Sequence, residues 1–228
     1  MGKKIAIYGA GTIGACQATL TSGNGYSTIV IGHSEEGLSR CRNTMLQNWN
    51  DLIAQKLATA ANRRAAMDLV TITNDVSALR DCDIVFEAVS EDVNIKQRVY
   101  SIITEVCGRD IIVASTTSSI DAAILTEKIE NPARFLIAHP FQPVHMLPLV
   151  EVVRHTETSE ETLNQVCTLL KDLNRQVVML NRSVPGFLVN RFAQALFRES
   201  IYLIEQGITT AADLSLIHIS EPTRRSYI

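Results

Sequence analysis

Residues 3–14 read KKIAIYGAGTIG, a short apolar run that leads directly into glycines spaced Gly-x-Gly-x-x-Gly. The run has the length of a buried strand, and the glycines introduce a helix. In such a turn Gly9 allows the sharp bend, Gly11 lets the backbone approach a pyrophosphate, and Gly14 lets the helix pack close to the sheet. The helix N-terminus offers N–H groups to the phosphates. The stretch therefore predicts dinucleotide binding by six residues: Gly9, Ala10, Gly11, Thr12, Ile13 and Gly14.

Strand-length apolar runs alternate with helical spacing through most of the chain. Short, nearly continuous apolar runs predict strands at residues 5–8, 28–31, 84–86, 111–114, 135–138, 149–153 and 176–180. Helical spacing of apolar side chains lies between them, for example over residues 38–56 and 95–106. This alternation predicts an α/β fold of the Rossmann type, a doubly wound parallel sheet with right-handed crossovers.

Two signals predict helices late in the chain. Thr158 and Glu161 have the spacing of a capping box, which opens a helix. After the turn-like residues 181–186, residues 187–206 have the pattern of a long helix with one apolar side. We therefore expect a nucleotide-binding domain over residues 1–184 and the first part of an all-helical domain over residues 185–213.

Residues 214–228, LSLIHISEPTRRSYI, do not continue the helical pattern that precedes them. They resemble one reading frame of a transposase-type sequencing adapter, and such scars are excluded from reasoning about a fold. We expect this tail to be foreign, with an ordinary frayed C-terminus as the alternative. We also expect the native sequence to differ beyond about residue 213, and the 228-residue chain to show no turnover alone.

The overall composition narrows the class of protein. Hydrophobic residues make up 46% and charged residues 20%, as in ordinary globular domains. A net charge of −3 leaves no basic excess for nucleic acid or an anionic membrane surface. The five cysteines are scattered without a Cys-x-x-Cys pair, and no cluster has metal-ligand spacing. We therefore predict a cytoplasmic protein without a metal site, whose partners are small molecules.

The residue expected to bind the adenine ribose is missing. In a dinucleotide site, an acidic residue at the end of the second strand accepts a hydrogen bond from the ribose 2′-hydroxyl. Here Gly32 stands at that position, so no carboxylate would repel a 2′-phosphate. Polar side chains follow it closely: His33, Ser34, Arg40 and Arg42. Because Glu35 could accept from the ribose instead, NAD is the preferred expectation and NADP remains open.

A histidine and a glutamate in the second half of the chain suggest acid–base chemistry. His139 lies in AHPFQPV (residues 138–144), and Glu151 lies in LPLVEVV (residues 147–153). A carboxylate beside an imidazole fixes its tautomer and stabilises the imidazolium, which suits proton removal from a hydroxyl. A lone histidine after a strand is usually structural, but the Pro-x-x-Pro segment and the spaced glutamate favour catalysis. With a dinucleotide, the pair predicts hydride transfer at an alcohol.

Five segments together resemble the 3-hydroxyacyl-CoA dehydrogenase family. They are residues 9–14, 86–92, 114–120, 139–151 and the segment PGFLVNR at 185–191. The resemblance covers residues 3 to about 213. It implies an NAD-dependent interconversion of a 3-hydroxyl and a 3-keto group. It also implies that the whole protein is a homodimer whose helical domain completes the active site.

The resemblance implies roles for individual residues. His139 would be the general base, and Glu151 would orient it. Ser118 and Asn190 would hydrogen-bond the substrate oxygen, although the first could merely cap a helix and the second could be a surface amide. Three positions would contact the cofactor: Glu91, Lys96 and Gln142. Relatives usually have Asn at the last of these, and the other two could be solvated charges.

Departures from the family pattern bear on the substrate. Thr116 stands where fatty-acyl members favour Asn, and Pro140 follows the histidine where they usually have Phe. The block around His139 is more similar to relatives that act on free 3-hydroxy acids, such as gulonate or carnitine. We expect a 3-hydroxyacyl-CoA substrate, with a free 3-hydroxy acid as the close alternative. A non-catalytic, crystallin-like relative is a third reading, which the intact site residues disfavour.

Overall fold

An eight-stranded sheet forms the centre of the first of two units in the computed structural model, which describes residues 3–217. This unit ends at Pro185. The strand order is β3-β2-β1-β4-β5-β6-β7-β8. The strands are β1 Lys4–Tyr8, β2 Ser27–Ile31, β3 Val70–Thr73, β4 Ile84–Glu87, β5 Ile112–Ser115, β6 Phe135–Pro140, β7 Leu149–Arg154 and β8 Gln176–Leu180. The predicted Rossmann-type fold is confirmed, and each predicted strand is present.

Two strands depart from the predicted parallel arrangement. The six strands from β3 to β6 are parallel, whereas β7 pairs antiparallel with β6, and β8 runs with β7. A parallel connection needs a crossover of about a dozen residues or more. Only the loop at residues 141–148 separates β6 from β7, so the chain must turn back. The expectation of a wholly parallel sheet is therefore wrong for β7 and β8.

Six α-helices complete the described part of the first unit, together with short 3₁₀ helices at Val76–Leu79 and Pro132–Arg134. The α-helices are α1 Thr12–Gly23, α2 Glu35–Ala54, α3 Ala60–Asp68, α4 Val93–Cys107, α5 Ala122–Thr126 and α6 Glu160–Asp172. Neither β3 nor α3 was predicted. β3 is a short edge strand that is only partly buried, and Ala66 is the one buried residue of α3. Both elements therefore lack the apolar pattern that marks the others.

The start of α6 differs from the predicted capping box. Ser159 is the N-cap, and its hydroxyl accepts a hydrogen bond from the Thr162 backbone. The Thr158 hydroxyl instead donates to the Phe135 carbonyl at 2.7 Å and accepts from the His155 backbone at 2.8 Å. The predicted pairing of Thr158 with Glu161 is wrong, because Thr158 ties the end of β7 to the start of β6.

The main core lies between the sheet and the helices packed on it. It combines inward residues of the strands, such as Ile5, Ile7 and Leu136, with apolar residues of α1 and α6, such as Ala18 and Val166. No cysteine of the described chain is in a disulfide. No helix within residues 3–217 is long and apolar enough to cross a membrane.

The second unit begins at Gly186 and contains α7 Val189–Glu205 and α8 Ala211–Ser215. The predicted long helix is thus present. Large apolar side chains of α7, among them Phe192, Leu196 and Phe197, are exposed. Most of the predicted foreign tail, residues 218–228, lies outside the described residues, so that reading stays a prediction.

Candidate functional site

The carboxyl ends of four neighbouring strands bring predicted site residues of the first unit to one edge of the sheet. Tyr8 of β1 is paired with Glu87 of β4, which is paired with Ser115 of β5. β6 continues this register, with Ile137 paired to Ser115, so His139 lies two residues nearer the same edge. Three strand spacings separate β1 from β6, which is roughly 14 Å. In open α/β sheets this edge is where ligands bind.

The turn after β1 brings the backbone close to this edge. Gly9 has φ of +130°, and a Cβ there would meet the Ala88 carbonyl. A Cβ on Gly14 would meet the Gly9 carbonyl oxygen, so both glycines are required by the close packing of the turn. Gly11 is the N-cap of α1 and has no side-chain cap. The first N–H groups of a helix lack intrahelical partners and stabilise phosphate oxygens.

A cavity of about 760 Å³ opens beside this turn. Its volume is within the usual range for small-molecule sites. The residues named from the sequence that lie on its wall are Gly9, Ala10, Gly11, Thr12, His33 and Arg40. Arg98 adds a second cation to the wall. Arg98 was missed by the sequence analysis, because a single arginine on a helix has no motif to identify it.

The packing around Gly32 at the end of β2 explains why a glycine stands where an acid that binds the ribose was expected. A Cβ on Gly32 would lie 2.6 Å from Leu38 Cδ2 and 2.8 Å from the Ala10 Cβ. Glycine is therefore required where the turn packs on α2. Of the side chains considered for a ribose or a 2′-phosphate, only His33 and Arg40 line the cavity. Glu35 lies off the wall and accepts a hydrogen bond from Asn74 at 2.9 Å.

Ile13, Gly14 and Gly32 do not line this cavity, and neither do Glu91, Lys96 and Gln142. Gln142 is exposed in the loop at residues 141–148, and its peptide bond to Pro143 is cis. Asn190 lies in the second unit, in the first turn of α7. The cofactor contacts proposed for Glu91, Lys96 and Gln142, and the substrate contact proposed for Asn190, therefore rest on the family resemblance.

A buried ion pair lies below the turn that follows β4. Lys96 Nζ is 2.8 Å from Glu87 Oε1 and 3.3 Å from Glu91 Oε2, and the side chains of Lys96 and Glu87 are 1% and 0% exposed. The Glu87 carboxylate accepts four hydrogen bonds, from Lys96, the Val89 backbone, Tyr100 and Ser115. A buried charge is tolerated when it is paired and hydrogen-bonded in this way. Glu87 was not singled out, because one acid at a strand end is a common pattern.

Glu91 joins this ion pair to the loop that carries Ser118. Its Oε1 atom accepts from the Thr117 hydroxyl at 2.6 Å and from the Ser118 backbone at 2.9 Å. Partial burial raises the pKa of Glu91, but these hydrogen bonds and Lys96 outweigh burial and hold the pKa below its usual value. The helix-cap alternative for Ser118 is wrong, because Asp121 caps α5.

The predicted base and its carboxylate are in direct contact. His139 Nδ1 lies 2.9 Å from Glu151 Oε2, and the two side chains are 8% and 1% exposed. The imidazole also packs against the Phe141 ring, with centroids 4.6 Å apart. Such a pair can exchange a proton through Nε2 while the carboxylate stabilises the charged ring. No group of three or more potential metal ligands lies together within the described residues.

Comparison with known proteins supports a dehydrogenase. Residues 4–183 match the family described as 3-hydroxyacyl-CoA dehydrogenase, NAD binding domain. An L-carnitine dehydrogenase from Bacillus cereus is 30% identical, with 98% of this chain and 68% of that protein covered. A 3-hydroxybutyryl-CoA dehydrogenase from Clostridioides difficile is 28% identical, with 92% and 75% covered.

A solved structure shows the same architecture. The (S)-3-hydroxybutyryl-CoA dehydrogenase from Ralstonia eutropha superposes with a TM-score of 0.90 at 26% identity, over 96% of this chain and 77% of that one. The chain therefore spans about two thirds to three quarters of the length of these relatives.

Proposed function

Because this chain belongs to the 3-hydroxyacyl-CoA dehydrogenase family and carries its NAD binding domain, we propose that the whole protein transfers hydride between NAD(H) and the C3 carbon of a 3-hydroxy substrate. The observation that carries this proposal is the buried contact between His139 and Glu151. The contact lies at the edge of the sheet that also bears the glycine turn.

In the oxidising direction, His139 takes the proton of the substrate hydroxyl through Nε2. The electron pair of the O–H bond then forms the carbonyl π bond as the C3 hydrogen leaves with its own pair. NAD, when bound, accepts that hydride. Glu151 holds Nδ1 and offsets the positive charge of the imidazolium, as carboxylates do in other histidine-based sites.

Ser118 and Asn190 are proposed to hydrogen-bond the substrate oxygen. The backbone and hydroxyl of Ser118 both contact Glu91, at 2.9 and 3.2 Å, which positions the loop after β5. Lys96 supports the same loop through Glu91. We therefore assign Glu91 and Lys96 to the cofactor side of the site, with Lys96 acting through Glu91. Gln142 is proposed as a cofactor contact from the resemblance alone.

We infer that NAD is the cofactor and that discrimination against NADP is weak. A carboxylate at the end of β2 would favour NAD, but Gly32 leaves none there, and Arg40 adds a cation to the cavity wall. Arg40 also pairs with Glu36, which moderates its attraction for a 2′-phosphate. We further propose a cytoplasmic homodimer, in keeping with the scattered cysteines and the exposed apolar residues of α7.

We propose a 3-hydroxyacyl-CoA as the substrate. A free 3-hydroxy acid is the second candidate, favoured by the similarity to an L-carnitine dehydrogenase. The test measures kcat/KM of the whole protein with acetoacetyl-CoA and NADH, and with carnitine, gulonate and 3-hydroxybutyrate and NAD. Higher kcat/KM for the thioester supports the first candidate, and higher kcat/KM for a free acid supports the second. NAD binding without turnover of any of these substrates would refute both and favour a non-catalytic relative.

A further inference from the structure

Two of the five cysteines approach each other at the edge of the sheet opposite the glycine turn. Cys82 lies in the loop just before β4, and Cys107 is the last residue of α4. Both contact Leu79, the last residue of a 3₁₀ helix. Neither cysteine lines the cavity beside the glycine turn, and nothing in the proposed hydride transfer uses them.

A single carbonyl oxygen connects the two cysteines. The Leu79 oxygen accepts hydrogen bonds from the Cys82 backbone nitrogen at 2.9 Å and from Cys107 Sγ at 3.3 Å. Because both atoms contact the same oxygen, the Cys107 sulfur lies within roughly 6 Å of the Cys82 backbone nitrogen. A disulfide joins residues whose Cα atoms are about 4.4–6.8 Å apart, which is a separation of the same size.

The electrostatics of Cys82 also reflect a nearby thiol. Burial raises the pKa of Cys82 to about 11, and the next largest cause is Cys107, because two neighbouring thiolates would repel each other. Lys4 acts in the opposite direction, and Asp83 and Asp81 raise the pKa further. Burial also raises the pKa of Cys107. Both side chains are therefore neutral thiols near neutral pH, and they lie near each other without repulsion.

Exposure distinguishes this pair from the other cysteines. Cys82 and Cys107 are partly exposed, whereas the three others are buried: Cys16, Cys41 and Cys167. A small oxidant therefore has access to this pair in the folded chain. Because cysteine oxidation depends on exposure, this pair is the favoured site.

We propose that Cys82 and Cys107 form a reversible disulfide when the chain meets a small-molecule disulfide, for which oxidised glutathione is the probe. One cysteine loses its proton, and its thiolate attacks a sulfur of the probe, which breaks the S–S bond of the probe and releases one glutathione thiolate. The thiolate of the second cysteine then attacks the mixed disulfide and releases the second glutathione. The two cysteines lose two electrons and two protons in total, and the probe is reduced to two glutathione thiols.

The new bond joins the C-terminal end of α4 to the loop before β4. It closes a loop over residues 83–106, which contains β4 and most of α4. Closing a loop of this length restricts the unfolded chain and so stabilises the fold, and we expect the Tm to rise by at least ~3 °C. In a reducing compartment the link is transient, as redox-sensing disulfides are.

The two cysteines lie in separate tryptic peptides, which makes the link directly measurable. Trypsin gives peptide 81–96 with Cys82 and peptide 99–109 with Cys107, and each contains a single cysteine. The folded 228-residue chain is treated with oxidised glutathione, and the remaining free thiols are blocked with N-ethylmaleimide in denaturant. Mass spectrometry should show the two peptides joined, and dithiothreitol should separate them. The Tm is measured before and after the treatment.

Two variants test the assignment. Cys107→Ser keeps a donor for the Leu79 carbonyl, so it should fold, yet it should form no link and show no rise in Tm on treatment. Cys167→Ser changes a buried cysteine of α6 and should leave both the link and the rise in Tm intact. The proposal is overturned if the treated chain carries glutathione on single cysteines without joining the pair. It is also overturned if Cys82 pairs with another cysteine, or if neither member of the pair reacts.

Discussion

His139 and Glu151 are directly opposite residues of β6 and β7, which run in opposite directions. Opposite residues of an antiparallel pair project to the same face, and a slip of one residue would separate them. The sheet's own hydrogen bonds therefore set the contact of 2.9 Å between Nδ1 and Oε2. The proposed base and its carboxylate are held by strands rather than by the loop that joins them.

Replacing His139 by glutamine should remove the proposed general base. We expect kcat of the whole protein to fall by at least ~100-fold, since general acid–base catalysis typically contributes 10²–10⁴. NADH affinity should be unchanged, because His139 does not line the cavity beside the glycine turn, where we expect the cofactor. Steady-state kinetics and a fluorescence titration with NADH measure the two quantities. His155→Gln, at the other end of β7, is the control, and retention of more than roughly a third of kcat in His139→Gln would refute the role.

Glu151→Gln should cost less activity than His139→Gln. The amide oxygen can still accept from Nδ1 and hold the ring, but the negative charge that stabilises the imidazolium formed during proton transfer is lost. Steady-state kcat/KM for alcohol oxidation at a fixed pH should therefore fall between the values of the unchanged protein and of His139→Gln. Activity equal to that of the unchanged protein would show that Glu151 has no electrostatic role.

Gly32→Ala should destabilise the fold, although Gly32 does not line the cavity beside the glycine turn. The added Cβ would lie 2.6 Å from Leu38 Cδ2, and overpacking of this kind costs about 1–3 kcal/mol. Urea unfolding of the 228-residue chain measures the loss, and Leu38→Ala in the same chain should recover part of it. Gly11→Ala is a matched control, since its Cβ meets no atom within 4 Å. Equal stability of Gly32→Ala and the unchanged chain would contradict the packing argument.

Glu91 should make the stability of the chain depend on pH in the acidic range. Its pKa is lower in the fold than the ordinary 4.5, so its stabilising contribution is present above that value. The contribution is lost as the pH falls through the lower folded value. The difference in unfolding free energy between the chain and Glu91→Gln should therefore shrink from about pH 6 to about pH 3. Glu105→Gln, at an exposed position of α4, should show no such trend, and a constant difference for Glu91→Gln would contradict the prediction.

Arg40 should govern the balance between the two cofactors. We expect calorimetric titration of the 228-residue chain to give NAD and NADP affinities within about tenfold of each other, because no acid stands at Gly32. Arg40→Glu should weaken NADP binding at least ~10-fold, because it replaces a favourable charge with a repulsive one. Arg42→Glu is the control, since Arg42 is not on the cavity wall. Strong preference for NAD in the unchanged chain would instead point to Glu35 or to backbone contacts.

Local patterns predicted the elements that have a strong apolar signature. The glycine turn predicted β1, α1 and β2 because its glycines follow one strand-length apolar run and precede a second run at the distance of a βαβ unit. The partly buried β3 and the exposed α3 gave no such pattern, although Thr59 and Asn62 do form a capping box. The antiparallel direction of β7 could have been predicted from the sequence, because the loop at residues 141–148 is too short for a crossover to a parallel strand.

The site was predictable where its partners are close in sequence. His139 and Glu151 were identified together because one short loop joins their strands. The partners of Glu87 come instead from β5 and from α4, and only the folded chain brings them together.

The carboxylate of Glu87 also has a mechanical consequence. It binds the turn after β4 through Val89, the helix α4 through Lys96 and Tyr100, and strand β5 through Ser115. Through Lys96 and Glu91, the same network reaches Thr117 and Ser118. The wall of the cavity beside the glycine turn and the Ser118 loop therefore cannot open independently of each other, and their amides should exchange with solvent deuterium as one cooperative unit.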